Sequence, residues 1–277
     1  FVYAWQRESG EMLWSRQTGE LINRSPWVLN DEERIYTHID PPVDSGGLSS
    51  TGPRAIATAW SLLDQSNLWK TPLMGIPEQA PSLSDDLILF ATNDDTLQAL
   101  ERETGHLRWS ADLASKPVSA PLVHADKVFV TSESGFVYAF YLKEGKIAWR
   151  YQFVGARLSG DMAIKDNVLY VPGGNILYSF NLNHLEPGWK FRAPKEISAP
   201  VVSDENVYFG CANNMLYVMD RKKGYVTGLY RLGGEILAPP ILAAGLVLVG
   251  ASDGKLYAFE EKPAQEKKQA SPPKSLN

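Results

Sequence analysis

The chain has 277 residues, 44% apolar and 21% charged, a composition that supports a packed core and excludes wholesale disorder. Its 27 Lys and Arg stand against 32 Asp and Glu, for a formal charge of −5. That balance excludes the basic face on which nucleic-acid binding rests, and it excludes an electrostatic grip on anionic lipid.

The chain opens at Phe1 rather than Met, so a processed or trimmed product is expected, with any signal peptide or lipid anchor upstream. A first unit runs from Ala4 through Gly10 to Trp14. The next tryptophan of the series, Trp69, comes 55 residues later. An insertion of about fifteen residues accounts for the excess, in the Pro-, Gly- and Ser-rich segment from His38 to Arg54. A long surface loop is expected there, and long loops on a rigid scaffold often carry function. His38, Asp40, Asp44 and Arg54 are its candidate partner-contact residues. His38, Asp40 and Asp44 could also approach a metal, but nothing supplies a further ligand.

From Trp69 the pattern is regular: Trp109, Trp149 and Trp189 follow at intervals of 40, and the next step lands on Leu229. Ten residues before each tryptophan stands a small residue: Ala4, Ala59, Ala99, Ala139 and Ser179. Ala80-Pro81 and Ala120-Pro121 follow two of the tryptophans, with Gly160-Asp161 as a variant. Ala199-Pro200 and Ala238-Pro239 arrive one or two residues early. Between these marks lie β-rich runs such as residues 87–91, 128–130, 168–171, 207–209 and 246–249. Turn-formers follow each run, among them Asp95, Gly135, Gly174, Asn214 and Gly254, and these supply the positive φ of tight hairpins. A second apolar strand then returns, as in Leu97–Leu100 and Val137–Phe140.

Each unit thus predicts four short antiparallel strands and no helix. One such sheet cannot bury both faces alone, whereas a radial array lets neighbours cover each other. The expected fold is an all-β β-propeller of about six to eight four-stranded blades over residues 1–260. The chain begins and ends mid-repeat, so either its terminal pieces complete one shared blade or it is a trimmed piece of a seven- or eight-bladed ring; trimming is favoured, because simple sharing leaves one Leu-Tyr-Ala strand over. The apolar run from Ile236 to Ala251 carries Pro239, Pro240 and Gly245, so it predicts two strands and a turn, not a membrane span. Residues 261–277 turn polar and Pro-rich, and a disordered tail is expected.

Ala99-Leu-Glu-Arg-Glu-Thr-Gly105-His-Leu-Arg-Trp109 resembles the tryptophan-docking motif of pyrroloquinoline-quinone-type (PQQ-like) propeller repeats. Ala4–Trp14 and Ala139–Trp149 match it too, whereas Ala59–Trp69 and Ser179–Trp189 lack the glycine in register. The resemblance implies a structural role for Trp14, Trp69, Trp109, Trp149 and Trp189. Each would pack between adjacent blades, with its indole N–H bonded within the repeat. The chain most resembles the propellers of the outer-membrane β-barrel assembly machinery. That resemblance implies a non-catalytic scaffold, with other envelope proteins as partners and a periplasmic or outer-membrane-associated location; composition alone leaves the cytoplasm open.

Two alternatives come from the same repeat. One is a fragment of a quinone-dependent dehydrogenase; the other is a ligand-sensing module of a larger receptor or kinase. The dehydrogenases resembled carry paired cysteines, a calcium site and a catalytic aspartate. Here Cys211 stands alone and reads as a small packing residue, and no calcium loop is evident. No catalytic, cofactor-binding or metal residue is assigned, and no cofactor is expected. His38, His106, His124 and His184 are scattered without metal-ligand spacing.

Overall fold

The computed structural model describes residues 2–6, 8–16, 34–39, 55–64 and 66–261. Among these the chain is built from 24 β-strands in antiparallel meanders. It divides into two compact units, Phe1–Gly160 and Asp161–Asn277.

The first unit opens with a hairpin of β1 (Val2–Trp5) and β2 (Met12–Arg16). A three-stranded sheet follows, from β3 (Arg34–Ile39), β4 (Ala55–Ser61) and β5 (Asn67–Leu73). The first complete four-stranded sheet contains β6 (Ser82–Leu83), β7 (Leu87–Thr92), β8 (Thr96–Glu101) and β9 (Leu107–Asp112). The next contains β10 (Leu122–His124), β11 (Lys127–Thr131), β12 (Phe136–Tyr141) and β13 (Ile147–Gln152).

In the second unit, β14 (Ala163–Lys165), β15 (Val168–Gly173), β16 (Ile176–Asn181) and β17 (Glu186–Arg192) form one sheet. Another is formed by β18 (Val201–Val202), β19 (Asn206–Cys211), β20 (Met215–Asp220) and β21 (Val226–Arg231). The last has three strands: β22 (Ile241–Ala243), β23 (Leu246–Gly250) and β24 (Leu256–Glu260). These sheets, each paired in sequence order, are the blades of a β-propeller.

The residues explain the strand hierarchy. Second strands β7, β11, β15 and β19 are buried on both faces, and β7 (Leu-Ile-Leu-Phe-Ala-Thr) is buried at every position. A strand covered on both sides reads as a continuous apolar run rather than an alternation. Fourth strands such as β9 alternate between exposed and buried positions, with Trp109 facing in. Within each unit adjacent sheets share apolar clusters: Leu89 and Trp109 pack with Val130 and Tyr138, and Tyr170 packs with Phe209 and Tyr217. Cys211 is fully buried in the second of these clusters, and its thiol lies 3.4 Å from the Lys195 carbonyl.

The hairpin turns take positive φ at Asp95, Gly135, Gly174, Asn214 and Gly254. The small-Pro marks also have a local cause. Ser119 Oγ accepts the Thr131 amide at 3.0 Å, and Ser198 Oγ accepts the Gly210 amide at 2.9 Å. Each serine therefore ties the entry of a first strand to the second strand twelve residues on.

Two expectations need correction. His38 does not lie in the inserted loop: it belongs to β3, opposite Ala57, with Ile39 opposite Ile56. Strand pairing therefore carries two residues further, up to the edge of the segment at 40–54, which lies outside the described residues along with Asp40, Asp44 and Arg54. The docking position of the sixth copy is Gly228, not Leu229. Ala59, Ala99 and Ala139 stand opposite Trp69, Trp109 and Trp149, and in the same register Val218 stands opposite Gly228.

The fifth copy has no glycine at its hairpin, yet Leu185 takes φ +55 at the position where Gly105 and Gly145 take +71 and +67. The left-handed region costs a residue with a Cβ about 1–2 kcal/mol, partly offset because glycine loses more chain entropy on folding. Leu185 is 46% exposed, so little apolar burial is lost on its removal. Leu185→Gly is expected to stabilise the protein by about 0.5–1 kcal/mol in urea unfolding; a lower midpoint would contradict this.

Candidate binding cavity

In the first unit, four separate chain segments border an open cavity of about 430 Å³. They are Glu78–Gln79 ahead of β6, Lys116–Val118 ahead of β10, Glu133 in the β11–β12 turn, and residues 157–160 after β13. The walls are held by backbone. The Glu133 amide donates to the Lys116 carbonyl at 2.9 Å, and the Val118 amide donates to Thr131 O at 2.9 Å. Ser115 Oγ accepts the Ser134 amide at 3.0 Å and donates to Ser134 Oγ at 2.7 Å.

The fourth wall is a tight turn. Phe153 N–H donates to Gly135 O and Ala156 N–H donates to Phe153 O, both at 2.9 Å. Gly135 is required there: its φ is +82, and a Cβ would sit 2.9 Å from Phe153 O and 3.0 Å from Ala156 O. Leu158 is 2% exposed and anchors the segment, which presents its neighbour Arg157 at the surface.

The charges are not all satisfied internally. Lys116 pairs with Glu78 across the cavity, both partly buried. Exposed Arg157 and exposed Glu133 line the same cavity, and neither side chain pairs with a charge among the described residues. A guanidinium offers five donors in a planar fork, suited to a carboxylate on a partner.

Titration shifts elsewhere have structural causes. Burial pushes the Tyr170 phenol up while its hydroxyl donates to the Arg221 carbonyl at 3.2 Å. A hydrogen bond from Lys165 holds Asp204 below the usual carboxylate range. Among the described residues, no group of three or more His, Cys, Asp or Glu is placed to hold a metal.

The five tryptophans lie on the fourth strands β2, β5, β9, β13 and β17, away from the cavity-lining set. Their indoles reach beyond their own repeat. Trp69 Nε1 donates to Arg102 O at 2.8 Å, Trp109 Nε1 to Leu142 O at 2.8 Å, and Trp189 Nε1 to Arg221 O at 2.9 Å. Each acceptor directly follows the third strand of the next sheet. The expected bond within the repeat is therefore a bond between successive repeats. His106 and His184 are exposed, and His124 is half-buried on β10.

The spacing does not single out Arg157, Glu133, Lys116 or Glu78, because each reads locally as an ordinary turn residue. One signal was present. Eight residues past each docking tryptophan stand Pro77, Pro117 and Ile197, and only Arg157 is charged at that place.

The sequence profile of the family described as "Outer membrane protein assembly factor BamB" matches residues 44–184. Among solved structures, BamB from Moraxella catarrhalis is similar with a TM-score of 0.63 at 21% identity, covering 86% of this chain and 72% of that one. The computationally designed Ika8 protein is similar with a TM-score of 0.68 at 16% identity, covering 76% and 67%. At these identities the likeness is one of fold. No curated protein matches the chain.

Proposed function

The chain belongs to the outer membrane protein assembly factor BamB family, and from that premise we propose that it is a non-catalytic propeller scaffold binding other proteins in a bacterial cell envelope. Its place is the periplasm or the periplasmic side of the outer membrane. The observation that carries the binding role is the cavity: a backbone-braced recess with Arg157 left unpaired, beside a Lys116–Glu78 pair already satisfied. A cationic side chain at the rim of a preformed recess recognises a partner without paying for loop ordering. Arginine at such a place is commonly a hot spot.

A photo-crosslinking residue placed at Gln79, inside the cavity, is expected to trap an envelope protein in living cells. Arg157→Glu should reduce that adduct about tenfold, the effect of losing and reversing one anchoring charge. Lys143→Glu, on an exposed turn outside the cavity, should leave it unchanged. Equal adducts in all three proteins would remove the cavity from the proposal. Titration with the quinone and calcium tests the enzyme alternative, and saturable stoichiometric binding would replace the scaffold role altogether.

A further inference from the structure

Among the described residues, one fourth strand departs from the others at the place directly after its docking position. Ser15, Lys70, Ser110, Arg150 and Lys190 follow the tryptophans of β2, β5, β9, β13 and β17, and all five are exposed. In β21 the residue after Gly228 is Leu229, which is 49% exposed. Each fourth strand is the edge of its sheet, and a bare edge invites another strand unless charge or proline guards it. Lys70 and Pro72, Arg108, Arg150, and Pro187 with Lys190 supply that guard in β5, β9, β13 and β17. From Tyr225 to Tyr230 the sequence has neither (Tyr-Val-Thr-Gly-Leu-Tyr).

This edge is not a gap left by a missing strand. Residues 194–231 are all described, β21 is already the fourth strand of its sheet, and among the described residues it pairs only with β20. Leu232 N–H donates inward to Asn214 O at 2.8 Å. By the alternation of an antiparallel ladder, the amides of Leu229 and Arg231 then face outward.

Charge decides which strand fits. Residues 221–231 hold Arg221, Lys222, Lys223 and Arg231 and no acid, whereas each equivalent stretch from β5 to β17 carries one: Asp64, Glu103, Glu144 and Glu186. Arg221 is engaged by Asp166. The neighbouring Asp220 carboxylate accepts the Lys222 and Lys223 amides at 3.0 and 2.7 Å. The side chains of Lys222, Lys223 and Arg231 are exposed and make no ion pair among the described residues. A second copy paired antiparallel through Gly228 would set Arg231 of one chain diagonal to Lys223 of the other, and like charges across a ladder destabilise it. The segment 262–277 has Lys262, Lys267, Lys268 and Lys274 against Glu266 alone, so its charge does not match either.

We infer that the β21 edge binds an extended segment of another protein by antiparallel strand addition, with acids at both ends of the segment and an apolar residue against Leu229. The edge belongs to the second unit and the cavity to the first, so each is tested without the other.

The probe is a labelled peptide, Glu-Thr-Val-Thr-Val-Thr-Val-Asp-Asp, titrated against the full chain by fluorescence anisotropy. In the antiparallel register its Glu meets Arg231, its first Val meets Leu229 and its last Asp meets Lys223. Saturable binding is expected, weakened at least about tenfold when the three acids are replaced by lysine. Arg231→Pro removes an outward amide and a flanking cation at the place where β5 carries Pro72, so it should abolish binding with the thermal midpoint unchanged. Leu229→Ser, the residue β9 has there, should weaken binding about threefold, the size of one cross-strand pair. An absence of saturable binding, equal binding of the acidic and basic peptides, or undiminished binding by Arg231→Pro would each overturn the inference. So would a concentration-dependent dimer that the peptide dissolves, because the occupant would then be a second copy.

Discussion

Trp109→Ala is expected to lower the unfolding free energy by about 3–5 kcal/mol, the range for truncating a large buried aromatic. Trp109 is 8% exposed, packs with Leu89 and Tyr138, and closes a 2.8 Å hydrogen bond to the Leu142 carbonyl of the next sheet. The loss combines apolar contact across two sheets with an acceptor left without its donor. Urea unfolding followed by circular dichroism reads the change without depending on the deleted fluorophore. Trp109→Phe keeps most of the ring contact and loses the bond, so it should fall between the two. Trp69, 7% exposed with the same bond to Arg102, should behave like Trp109. Half-buried Trp14 should cost less. A wild-type midpoint for Trp109→Ala would remove the inter-sheet bond from any account of how this fold is held.

Much of the fold was legible because two requirements repeat with it. A strand covered on both faces must be apolar along its buried length, which marks β7, β11, β15 and β19. A tight hairpin must place a residue at positive φ, which marks Asp95, Gly135, Gly174, Asn214 and Gly254. The slip to Gly228 was also written in the sequence. Ala199-Pro200 arrives one residue early, so the segment between β17 and β18 is one residue shorter and every later position moves with it. A fixed period of 40 hid this, because Leu229 is apolar and seemed to sit where the tryptophan had been.

The cavity was not legible for a different reason. Its lining comes from four turns that meet only after three strands pair, and a turn residue's chemistry does not report which other turns it will face. The inserted loop drew attention because it breaks the period, whereas Arg157 keeps the period and changes only its charge. Departures in residue type at a conserved spacing within one chain are thus the better guide to a site on a repeat scaffold, where spacing itself is spent on packing.

Gly145→Ala tests the docking geometry from the other side and is expected to cost about 2–5 kcal/mol. Two effects add. At φ +67 a Cβ brings about 1–2 kcal/mol of left-handed strain. The same Cβ would lie 2.4 Å from the Trp109 ring, and the ring cannot retreat without leaving its carbonyl partner, which adds about 1–3 kcal/mol of overpacking. Gly155→Ala separates the two effects, since Gly155 has φ +73 and nothing within 4 Å of the added Cβ. It should show only the strain. In the Trp109→Ala background Gly145→Ala should also shrink to the strain alone, a coupling of about 1–3 kcal/mol in a double-mutant cycle. Additive losses would mean that glycine and tryptophan act independently.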